Sequence, residues 1–367
     1  MKILYLITGL GGGGAEKVVA DLADQMSQRG YEVKIAYLKG AVVVRPEDQS
    51  IELIYLGLES LMDAKKAYQS YKQLLMSFSP DVLHAHMVHA NIFARISRIF
   101  FPIPKLICTA HSNNEGGRMR MIAYRLTHFL ADLTTNVSKV ASLSFEQLKA
   151  VPSGGIETIY NGIDLERFSF KEDIRFQIRK ALGINSDVKM FLAVGRFHEA
   201  KNYPLLINAF CQFIKQYKFL NDYSEVKLFI AGDGDQRPLI ESLIVEHNLQ
   251  NKIILLGRRN DIPQLMSAAD FFVLSSSYEG FGLVVAEAMC SNTFVIATDC
   301  GGIKEVLGNT GILVPINNQE NMVEAFHKAT RMSRIEIEKN NAKALKYAQQ
   351  NFDLNKIVDD WIKLYEQ

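Results

Sequence analysis

The segment DFFVLSSSYEGFGLVVAEAMC, residues 270–290, indicates the fold class of this chain. Its first part, residues 270–274, is an apolar run of the kind that forms a buried strand in a parallel sheet. The run LVVAEAM, residues 283–289, is a good helix-forming sequence. A strand, a glycine-containing turn and a helix in succession predict one unit of an open α/β sheet.

Two glutamates bracket the turn of this segment. Glu279 follows the strand, at the carboxyl end where open α/β sheets bind ligands. Gly280 and Gly282 lie where the helix begins, and free backbone N–H groups at a helix start favour phosphate. Glu287 lies about two turns further in and can still reach a ligand at that end. The alternative is an ordinary strand, turn and helix with two solvated carboxylates.

Apolar runs and helical stretches alternate in two separate series along the chain. Each series predicts parallel βαβ units, and two series predict two doubly wound Rossmann-like domains. Helices are predicted over residues 15–29, 61–78, 90–100, 203–217, 236–247, 261–268, 281–290 and 302–307. A boundary near residues 161–164 gives domains of residues 1–165 and 166–350. The final segment, residues 351–367, predicts an amphipathic helix whose tryptophan, Trp361, packs on an apolar surface.

Composition excludes several classes of protein. The 367 residues are 48% hydrophobic and 22% charged, which is typical of globular domains with full cores. A net charge of +1 gives no general attraction to nucleic acid. The cysteines lack metal-ligand spacing and indicate reduced thiols. The amino terminus predicts a strand instead of a signal peptide, and no apolar stretch is long enough to span a membrane. These features predict a cytoplasmic protein.

The first glycine loop, GLGGGG at residues 9–14, matches the G-x-G-x-x-G pattern between a strand and a helix. That pattern suggests dinucleotide binding and therefore an NAD(P)-dependent oxidoreductase. The pattern also requires an acid at the end of the second strand, but that strand ends Tyr37-Leu38-Lys39. The glycines still allow the backbone to approach a ligand closely. A tight structural turn is the alternative.

A second loop, GRFHEAKN at residues 195–202, follows the strand KMFLAVG. It places Arg196 and Lys201 at the ligand-binding edge of the second sheet. An Arg/Lys pair can stabilise the negative charge of a departing diphosphate. Either residue alone would more often be a solvated surface charge.

Three further groups of polar residues allow weaker predictions. Asp233 and Asp235 form a D-x-D that could hold a divalent cation, but a turn with a helix N-cap explains it more simply. His84 and His86 alternate on one strand and project to one face, without a third ligand at a suitable spacing. His111 ends the next strand, where it either contacts substrate or is structural. We therefore predict no metal site.

Residues 90–125 combine basic and apolar side chains. Six cations oppose one acid, Glu115, and aromatic and aliphatic residues interleave with them. The cations are Arg95, Arg98, Lys105, Arg118, Arg120 and Arg125. Such a segment can lie on an anionic membrane surface. The alternative is an ordinary helix surface whose apolar side faces the core.

Taken together, these motifs resemble those of retaining GT-B glycosyltransferases that carry an E-x7-E signature. The matching stretches are GLGGGGAE, YNGID, GRFHEAKN, GDGD and EGFGLVVAE, and they follow in order over nearly the whole chain. The most similar members build bacterial O-antigen, capsule or other surface glycans. The resemblance implies two Rossmann-like domains that face a central cleft. It also implies a final helix, residues 351–367, that crosses back onto the first domain.

The resemblance further implies a role for individual residues. Arg196 and Lys201 would hold the donor diphosphate, and Glu287 would bind the ribose. Glu279 would contact sugar hydroxyls, and His111 would lie against the transferred sugar. The implied catalytic residues are His111, Arg196, Lys201 and Glu279. The implied donor-binding residues are Gly13, Gly14, Arg196, Lys201, Gly257, Arg258, Glu279, Gly280, Phe281, Gly282, Leu283 and Glu287.

The activity that the resemblance implies is transfer of a hexose or N-acetylhexosamine from a UDP-sugar to a glycan acceptor, without a metal or other cofactor. The acceptor would be lipid-linked, and the enzyme would sit peripherally on the inner face of the cytoplasmic membrane. Glycogen and starch synthases carry a lysine just before the glycine loop, where this chain has Ile7-Thr8-Gly9. A synthase of that kind is therefore not expected. The remaining alternatives are an oxidoreductase and a non-catalytic sugar-nucleotide-binding protein of the same fold.

Overall fold

The computed structural model describes residues 1–217 and 225–367, which form two compact units. Unit 1 comprises residues 1–162 and 354–367, and unit 2 comprises residues 163–353. The boundaries expected from the sequence, after residues 165 and 350, each differ from these by three residues. The chain therefore leaves unit 1 once and returns to it for its last helix.

Unit 1 contains a seven-stranded parallel sheet with the order β3-β2-β1-β4-β5-β6-β7. Its strands are β1 (Lys2–Ile7), β2 (Glu32–Tyr37), β3 (Glu52–Tyr55), β4 (Val82–His86), β5 (Lys105–Ala110), β6 (Leu133–Asn136) and β7 (Glu157–Thr158). Both β1 and β4 are almost wholly buried, which explains why they read as continuous apolar runs. The order reverses between β1 and β4, so the carboxyl ends of these strands form a switch point.

The helices of unit 1 connect these strands. They are α1 (Gly14–Gln28), α2 (Ala64–Phe78), α3 (Val88–Ser97), α4 (Arg118–Thr127) and α5 (Lys139–Gln147). Short 3-10 turns lie at Leu61–Asp63 and at His128–Leu130. One apolar cluster lies under α2 and α3 around Tyr71 and Leu83, and another joins α4 and α5 through Tyr124 and Phe145.

Unit 2 repeats the architecture with a six-stranded parallel sheet of order β10-β9-β8-β11-β12-β13. Its strands are β8 (Lys189–Val194), β9 (Val226–Ala231), β10 (Ile253–Gly257), β11 (Phe271–Leu274), β12 (Phe294–Thr298) and β13 (Ile312–Val314). Phe191, Phe210, Phe213 and Phe326 pack edge to face in its core. Here the order reverses between β8 and β11, the counterparts of β1 and β4.

The helices of unit 2 are α6 (Glu172–Ala181), α7 (Tyr203–Tyr217), α8 (Arg237–Glu246), α9 (Ile262–Ala268), α10 (Leu283–Cys290), α11 (Ile303–Leu307), α12 (Gln319–Arg331) and α13 (Arg334–Asn351). The last helix of the chain, α14 (Leu354–Glu366), belongs to unit 1. There Trp361 is buried against His84, with ring centroids 4.5 Å apart, as the packing prediction for this tryptophan required.

Except for β13, the sequence pattern predicted the strands of both sheets, but it did not predict every helix. The helices that it did not predict are α4, α5, α6, α12 and α13. In α6 the reason is visible, because the helix is held by arginines instead of an apolar stripe. Arg179 Nη1 donates to the carbonyl of Ala268 at 3.0 Å and lies 3.3 Å from Asp270 Oδ2. A helix whose buried position is an arginine reads in the sequence as a charged segment instead of a core helix.

None of the helices in the described part of the chain combines the length and the apolar character needed to cross a bilayer.

Candidate functional site

The candidate site of unit 2 lies at the carboxyl ends of the neighbouring strands β8 and β11. Residues 195–202 follow β8 and include a short 3-10 turn at Glu199–Lys201. Residues 275–282 follow β11 and lead into α10. Because β8 and β11 are paired in parallel, the two loops leave the sheet side by side. This is the switch point at which an open α/β sheet binds its ligand.

Lys201 and Glu279 form an ion pair across these two loops. Lys201 Nζ lies 2.6 Å from Glu279 Oε1, and both side chains are mostly buried. Ser276 Oγ donates to the same oxygen at 2.6 Å. Charge-assisted hydrogen bonds of this length hold a carboxylate in one orientation. The sequence identified Lys201 and Glu279 but gave no reason to select Ser276.

Further hydrogen bonds fix the two loops to each other. Ser275 Oγ donates to the carbonyl of Lys201 at 2.8 Å, and the backbone N–H of Ser277 donates to the carbonyl of Ala200 at 2.8 Å. Thr298 Oγ1, at the end of β12, donates to the carbonyl of Ser276 at 2.5 Å. The ion pair is therefore held by backbone as well as side-chain contacts, and its geometry is preorganised.

Gly301 follows β12 and packs against the loop that carries Glu279. It has a φ of +55°, and a Cβ at this position would lie 1.7 Å from the carbonyl oxygen of Glu279. No side chain other than hydrogen fits in that space. Gly301 was not predicted as a site residue, although the pair Gly301-Gly302 shortly after the end of β12 was an available signal.

The helix α10 begins at the turn between the two glutamates. Its N-cap, Gly282, has a φ of +95°, which is why the helix starts at Leu283 and not at residue 281 as predicted. Within the described residues no side chain caps this helix start, so its backbone N–H groups can face a ligand. The ring of Phe281 is buried against Phe352 at 5.3 Å, which leaves Phe281 only its backbone to offer. Glu287 is buried in the second turn.

Arg196 lies in the first loop and is exposed. Its Nη2 is 3.4 Å from Asp235 Oδ2, and Asp235 is exposed as well. Ion pairs in water are weak, so the guanidinium can turn toward an incoming anion. Arg196 and Lys201 therefore differ, since Arg196 is exposed in a weak ion pair and Lys201 is mostly buried in a close one.

The D-x-D at Asp233 and Asp235 forms a turn, as the simpler interpretation predicted. Asp233 Oδ1 accepts from the backbone N–H of Gly234 at 2.9 Å. The N-cap part of that prediction was wrong, because the cap of α8 is Gln236, which makes no side-chain capping bond in the described residues. Among those same residues no group of three or more His, Cys, Asp or Glu side chains is placed to hold a metal ion.

Gly257 and Arg258 lie at the same edge of the sheet, at the end of β10. The carbonyl of Gly257 accepts from the backbone N–H of Gly232 at 2.8 Å, and Arg258 is exposed. Because β9 separates β10 from β8, these residues lie further along the edge than Lys201. Gly257 and Arg258 are therefore separated from the ion pair of Lys201 and Glu279, and their role in donor binding stays a prediction.

Gly13, Gly14 and His111 belong to unit 1. Gly14 begins α1, and Gly13 is its N-cap. A Cβ on Gly13 would lie 2.6 Å from Glu16 Oε2. Both glycines are exposed at the start of α1, and the carboxylate of Glu16 lies beside Gly13.

His111 follows β5 and is half-buried at the end of a row of histidines whose other members, His84 and His86, are buried. Its Nε2 lies 3.0 Å from His86 Nδ1, and its backbone N–H donates to Glu115 Oε1 at 2.8 Å. Burial lowers the pKa of His111 to about 4. The ring is therefore neutral near pH 7 and can act as a hydrogen-bond partner but not as a cation.

The other histidines of this row extend inward from His111. His84 and His86 project to one face of β4, as predicted, with ring centroids 4.0 Å apart. His84 contacts Thr109 Oγ1 at 2.6 Å and Tyr365 Oη at 2.7 Å. Burial lowers the pKa of both rings well below the usual histidine value. The sequence did not predict that His84, His86 and His111 are in contact with one another.

The membrane prediction for residues 90–125 was wrong for two of its arginines. Arg95 is fully buried, donates to Thr134 Oγ1 at 2.7 Å and lies over the ring of Tyr124. Arg98 lies 2.7 Å from Asp132 Oδ2 and donates to the carbonyl of Leu130. Both cations satisfy internal acceptors and do not face solvent as free charges. Arg118, Arg120 and Arg125 are exposed.

Comparison with known protein families assigns the class of the chain. Residues 12–167 match the model of glycosyltransferase family 4, and residues 174–351 match that of glycosyl transferases group 1. An uncharacterized glycosyltransferase of Methanocaldococcus jannaschii is 31% identical over 78% of this chain and 75% of its own. The chain therefore belongs to the GT-B glycosyltransferases. Membership in this family decides against the oxidoreductase alternative.

Two further similarities extend over the whole chain. An N-acetylgalactosamine-N,N'-diacetylbacillosaminyl-diphospho-undecaprenol 4-alpha-N-acetylgalactosaminyltransferase of Campylobacter jejuni is 28% identical, over 99% of this chain and 98% of its own. The Anabaena HepE structure in complex with UDP-glucose superimposes with a TM-score of 0.84 at 22% identity, covering 100% of this chain and 99% of HepE. The second similarity concerns the fold alone.

Proposed function

We propose that this chain transfers a hexose or N-acetylhexosamine from a UDP-sugar to a lipid-linked glycan acceptor, with retention of anomeric configuration. The observation that carries the proposal is the ion pair of Lys201 and Glu279, which is fixed by hydrogen bonds and lies in the loop before α10. In the described residues, no side chain caps the start of that helix. A cation and free N–H groups suit a diphosphate, and a fixed carboxylate suits hydroxyl groups.

In this proposal Lys201 has two partners in succession. In the structure it neutralises Glu279 at 2.6 Å. When donor binds, its ammonium group also faces the β-phosphate and stabilises the charge that develops as the sugar departs. Arg196 turns from Asp235 to the same diphosphate. Two cations and a helix start would then do the work that a metal ion does elsewhere, so we expect transfer to continue in a metal chelator.

Glu279 has the complementary role of orienting the sugar. Lys201 and Ser276 both contact its Oε1, and we assign Oε2 to the sugar hydroxyls. A carboxylate held in an ion pair is a weak nucleophile, so we do not assign it a covalent step. Retention would follow from attack on the face that the leaving phosphate vacates. Glu287 would bind the donor ribose, and the neutral ring of His111 would donate or accept a hydrogen bond with the transferred sugar.

The names of related proteins support the choice of substrates. The Campylobacter relative is named for transfer of N-acetylgalactosamine to a diphospho-undecaprenol glycan. The HepE structure contains UDP-glucose. A glycan on a lipid diphosphate and a UDP-sugar are therefore the acceptor and donor classes to test first.

The test is an assay of the whole chain with a panel of UDP-sugars and diphospho-undecaprenol glycans, with product configuration read by NMR. We expect an α-linked product and a loss of transfer of at least about a hundredfold in Lys201→Ala and Glu287→Ala. The matched control is Lys252→Ala, because Lys252 also pairs with a glutamate, Glu225, at 2.8 Å on unit 2. Full transfer by Lys201→Ala, or an inverted product, would overturn the corresponding part of the proposal. Binding of UDP-sugar without turnover of any acceptor would favour the non-catalytic alternative.

A further inference from the structure

Four large apolar side chains are exposed in a row on unit 1. They belong to α4 and the 3-10 turn that follows it, and we call them the apolar stripe. The exposed fractions are 77% for Met119, 41% for Ile122, 67% for Leu126 and 77% for Phe129. The spacing of three and four residues places Met119, Ile122 and Leu126 within an arc of about 60° on a helix that turns about 100° per residue. Phe129 follows in the 3-10 turn that continues from α4.

The opposite face of α4 packs into the core of unit 1, and this packing keeps the apolar stripe exposed to solvent. Met121 and Tyr124 are buried in the cluster that joins α4 to α5. The hydroxyl of Tyr124 accepts from Asn91 Nδ2 at 2.6 Å, and its ring packs on Phe145 at 5.1 Å. Because these contacts fix the rotation of α4, the stripe cannot turn into the core. The helix is amphipathic, with a second apolar face on the side that its own unit does not cover.

Positive charge lies beside the stripe. Arg118 and Arg125 are exposed and fall within about 60° of its Ile122 edge on the helical wheel of α4. Residues 116–131 contain no acidic residue. The flanking acids are internal or paired, since Glu115 is buried and Asp132 lies 2.7 Å from Arg98. The charge next to the stripe is therefore of one sign.

The charge decides which partner fits this surface. A second copy of the chain, docked by two-fold symmetry, would bring the same arginines toward each other. An anionic bilayer offers phosphates to the arginines and acyl chains to the apolar residues at the depth where an interfacial helix lies. We infer that the apolar stripe, with Arg118 and Arg125, is a docking surface for an anionic lipid bilayer.

This surface replaces the broader one that the sequence suggested. It excludes Arg95 and Arg98, which serve the interior, and it adds Leu126 and Phe129, which lie beyond residue 125. The inference concerns a site in unit 1 that contains none of the residues assigned to donor binding. It does not require the proposed transfer reaction, although a bilayer-bound enzyme would meet a lipid-linked acceptor directly.

The test is flotation of the full chain with two kinds of vesicle, phosphatidylcholine alone and phosphatidylcholine with phosphatidylglycerol. We expect binding to the anionic vesicles that weakens as salt is raised. The triple variant Met119→Ser/Leu126→Ser/Phe129→Ser and the double variant Arg118→Glu/Arg125→Glu should each bind at least about tenfold more weakly. Circular dichroism should show that both variants remain folded.

The matched controls lie on α6 of unit 2. Phe176 is 70% exposed, close to the values for Met119 and Phe129, and two lysines of the same helix region, Lys171 at the N-cap and Lys180 in the last turn, are exposed as well. Phe176→Ser and Lys171→Glu/Lys180→Glu should bind vesicles as the parent chain does. If they weaken binding as much as the α4 variants, general hydrophobicity and charge are responsible and the inference fails.

Three other outcomes would overturn the inference. They are failure of the parent chain to float with anionic vesicles, equal binding to neutral vesicles, and a dimer in light scattering that only the triple serine variant dissociates. The last result would make the stripe an interface between copies. Transfer to a detergent-dispersed acceptor without vesicle binding would reject the docking surface alone. Vesicle binding without any transfer would reject the proposed function alone.

Discussion

The carboxyl edges of the two sheets have the same topology but opposite chemistry. In unit 1 the switch point between β1 and β4 leads into a row of buried histidines, threonines and tyrosines. In unit 2 the switch point between β8 and β11 carries the ion pair of Lys201 and Glu279. The strand order determines where the polar groups gather. The side chains at those positions determine whether the edge is neutral or charged.

The difference shows how one architecture can present two kinds of polar surface. At the charged edge a cation is already fixed by a carboxylate, so the electrostatic field exists before a diphosphate arrives. At the neutral edge burial lowers the pKa of each histidine in the row. The histidine row can therefore exchange hydrogen bonds with hydroxyl groups and offers no positive charge to a phosphate.

The largest loss of activity is expected from a substitution at Gly301, because the loop that carries Glu279 leaves no space there for a side chain. Gly301→Ala would place a Cβ 1.7 Å from the carbonyl of Glu279 and must displace the loop that holds the ion pair. Since a displacement of about 1 Å can cost about a hundredfold in rate, we expect glycosyl transfer to fall by at least that factor. The measurement is kcat/KM for transfer.

A matched glycine separates this effect from backbone strain. Gly183, after α6, has a similar φ of +64°, but a Cβ there would meet no atom within 4 Å. Gly183→Ala should cost about 1 kcal/mol of stability and leave kcat/KM unchanged. Equal loss of transfer in both variants would mean that strain, and not the position of Glu279, is responsible.

An effect of intermediate size is expected when the pH is lowered, because the free energy of unfolding should fall more in unit 1 than in unit 2. The folded pKa of His111 is lowered from 6.5 to about 4, so the unfolded chain binds more protons between these values. The stabilisation is present above about pH 6.5 and is lost as the pH falls. For His111 the loss between pH 7 and pH 5 is about 2 kcal/mol. His84 and His86 act in the same direction.

The only tryptophan reports on this unit. Trp361 contacts His84, so urea unfolding followed by its fluorescence measures the stability of unit 1. Hydrogen exchange of β8 and β9 peptides, corrected for the intrinsic pH dependence of exchange, provides the comparison for unit 2. We expect the smaller loss in unit 2. An equal loss in both units would contradict the assignment of acid sensitivity to the histidine row.

The smallest effect is expected at the exposed ion pair of the charged edge. Asp235→Ala removes the partner of Arg196, but exposed pairs contribute only about 0–1 kcal/mol. We therefore expect unchanged stability and unchanged or slightly tighter binding of UDP in calorimetry. Arg196→Ala should weaken the same binding by about tenfold. Weaker binding in Asp235→Ala would show that the aspartate positions the guanidinium instead of competing for it.

Sequence reasoning recovered the parts of this site that depend on local pattern. The strand, turn and helix of residues 270–290 were readable because apolar and helix-forming runs adjoin there. The pairing of Lys201 with Glu279 was not, because the residues are 78 positions apart and meet only through the strand order. Ser276 gave no signal of its own. The membrane-surface prediction was wrong for Arg95 because an arginine is normally exposed, whereas this one is buried and contacts Thr134 and Tyr124 inside the fold.

The return of the chain to unit 1 at Leu354 has a consequence for how the protein is made. The residues of unit 2 form one uninterrupted stretch, and Ile163 and Asp353 at its two ends are bridged. Unit 1 is completed only by residues 354–367, which supply Tyr365 to His84 and Tyr5. During synthesis, unit 2 can therefore complete its fold before unit 1, although unit 1 begins earlier in the sequence. The histidine row of unit 1 lacks its contacts with Tyr365 until residues 354–367 have left the ribosome.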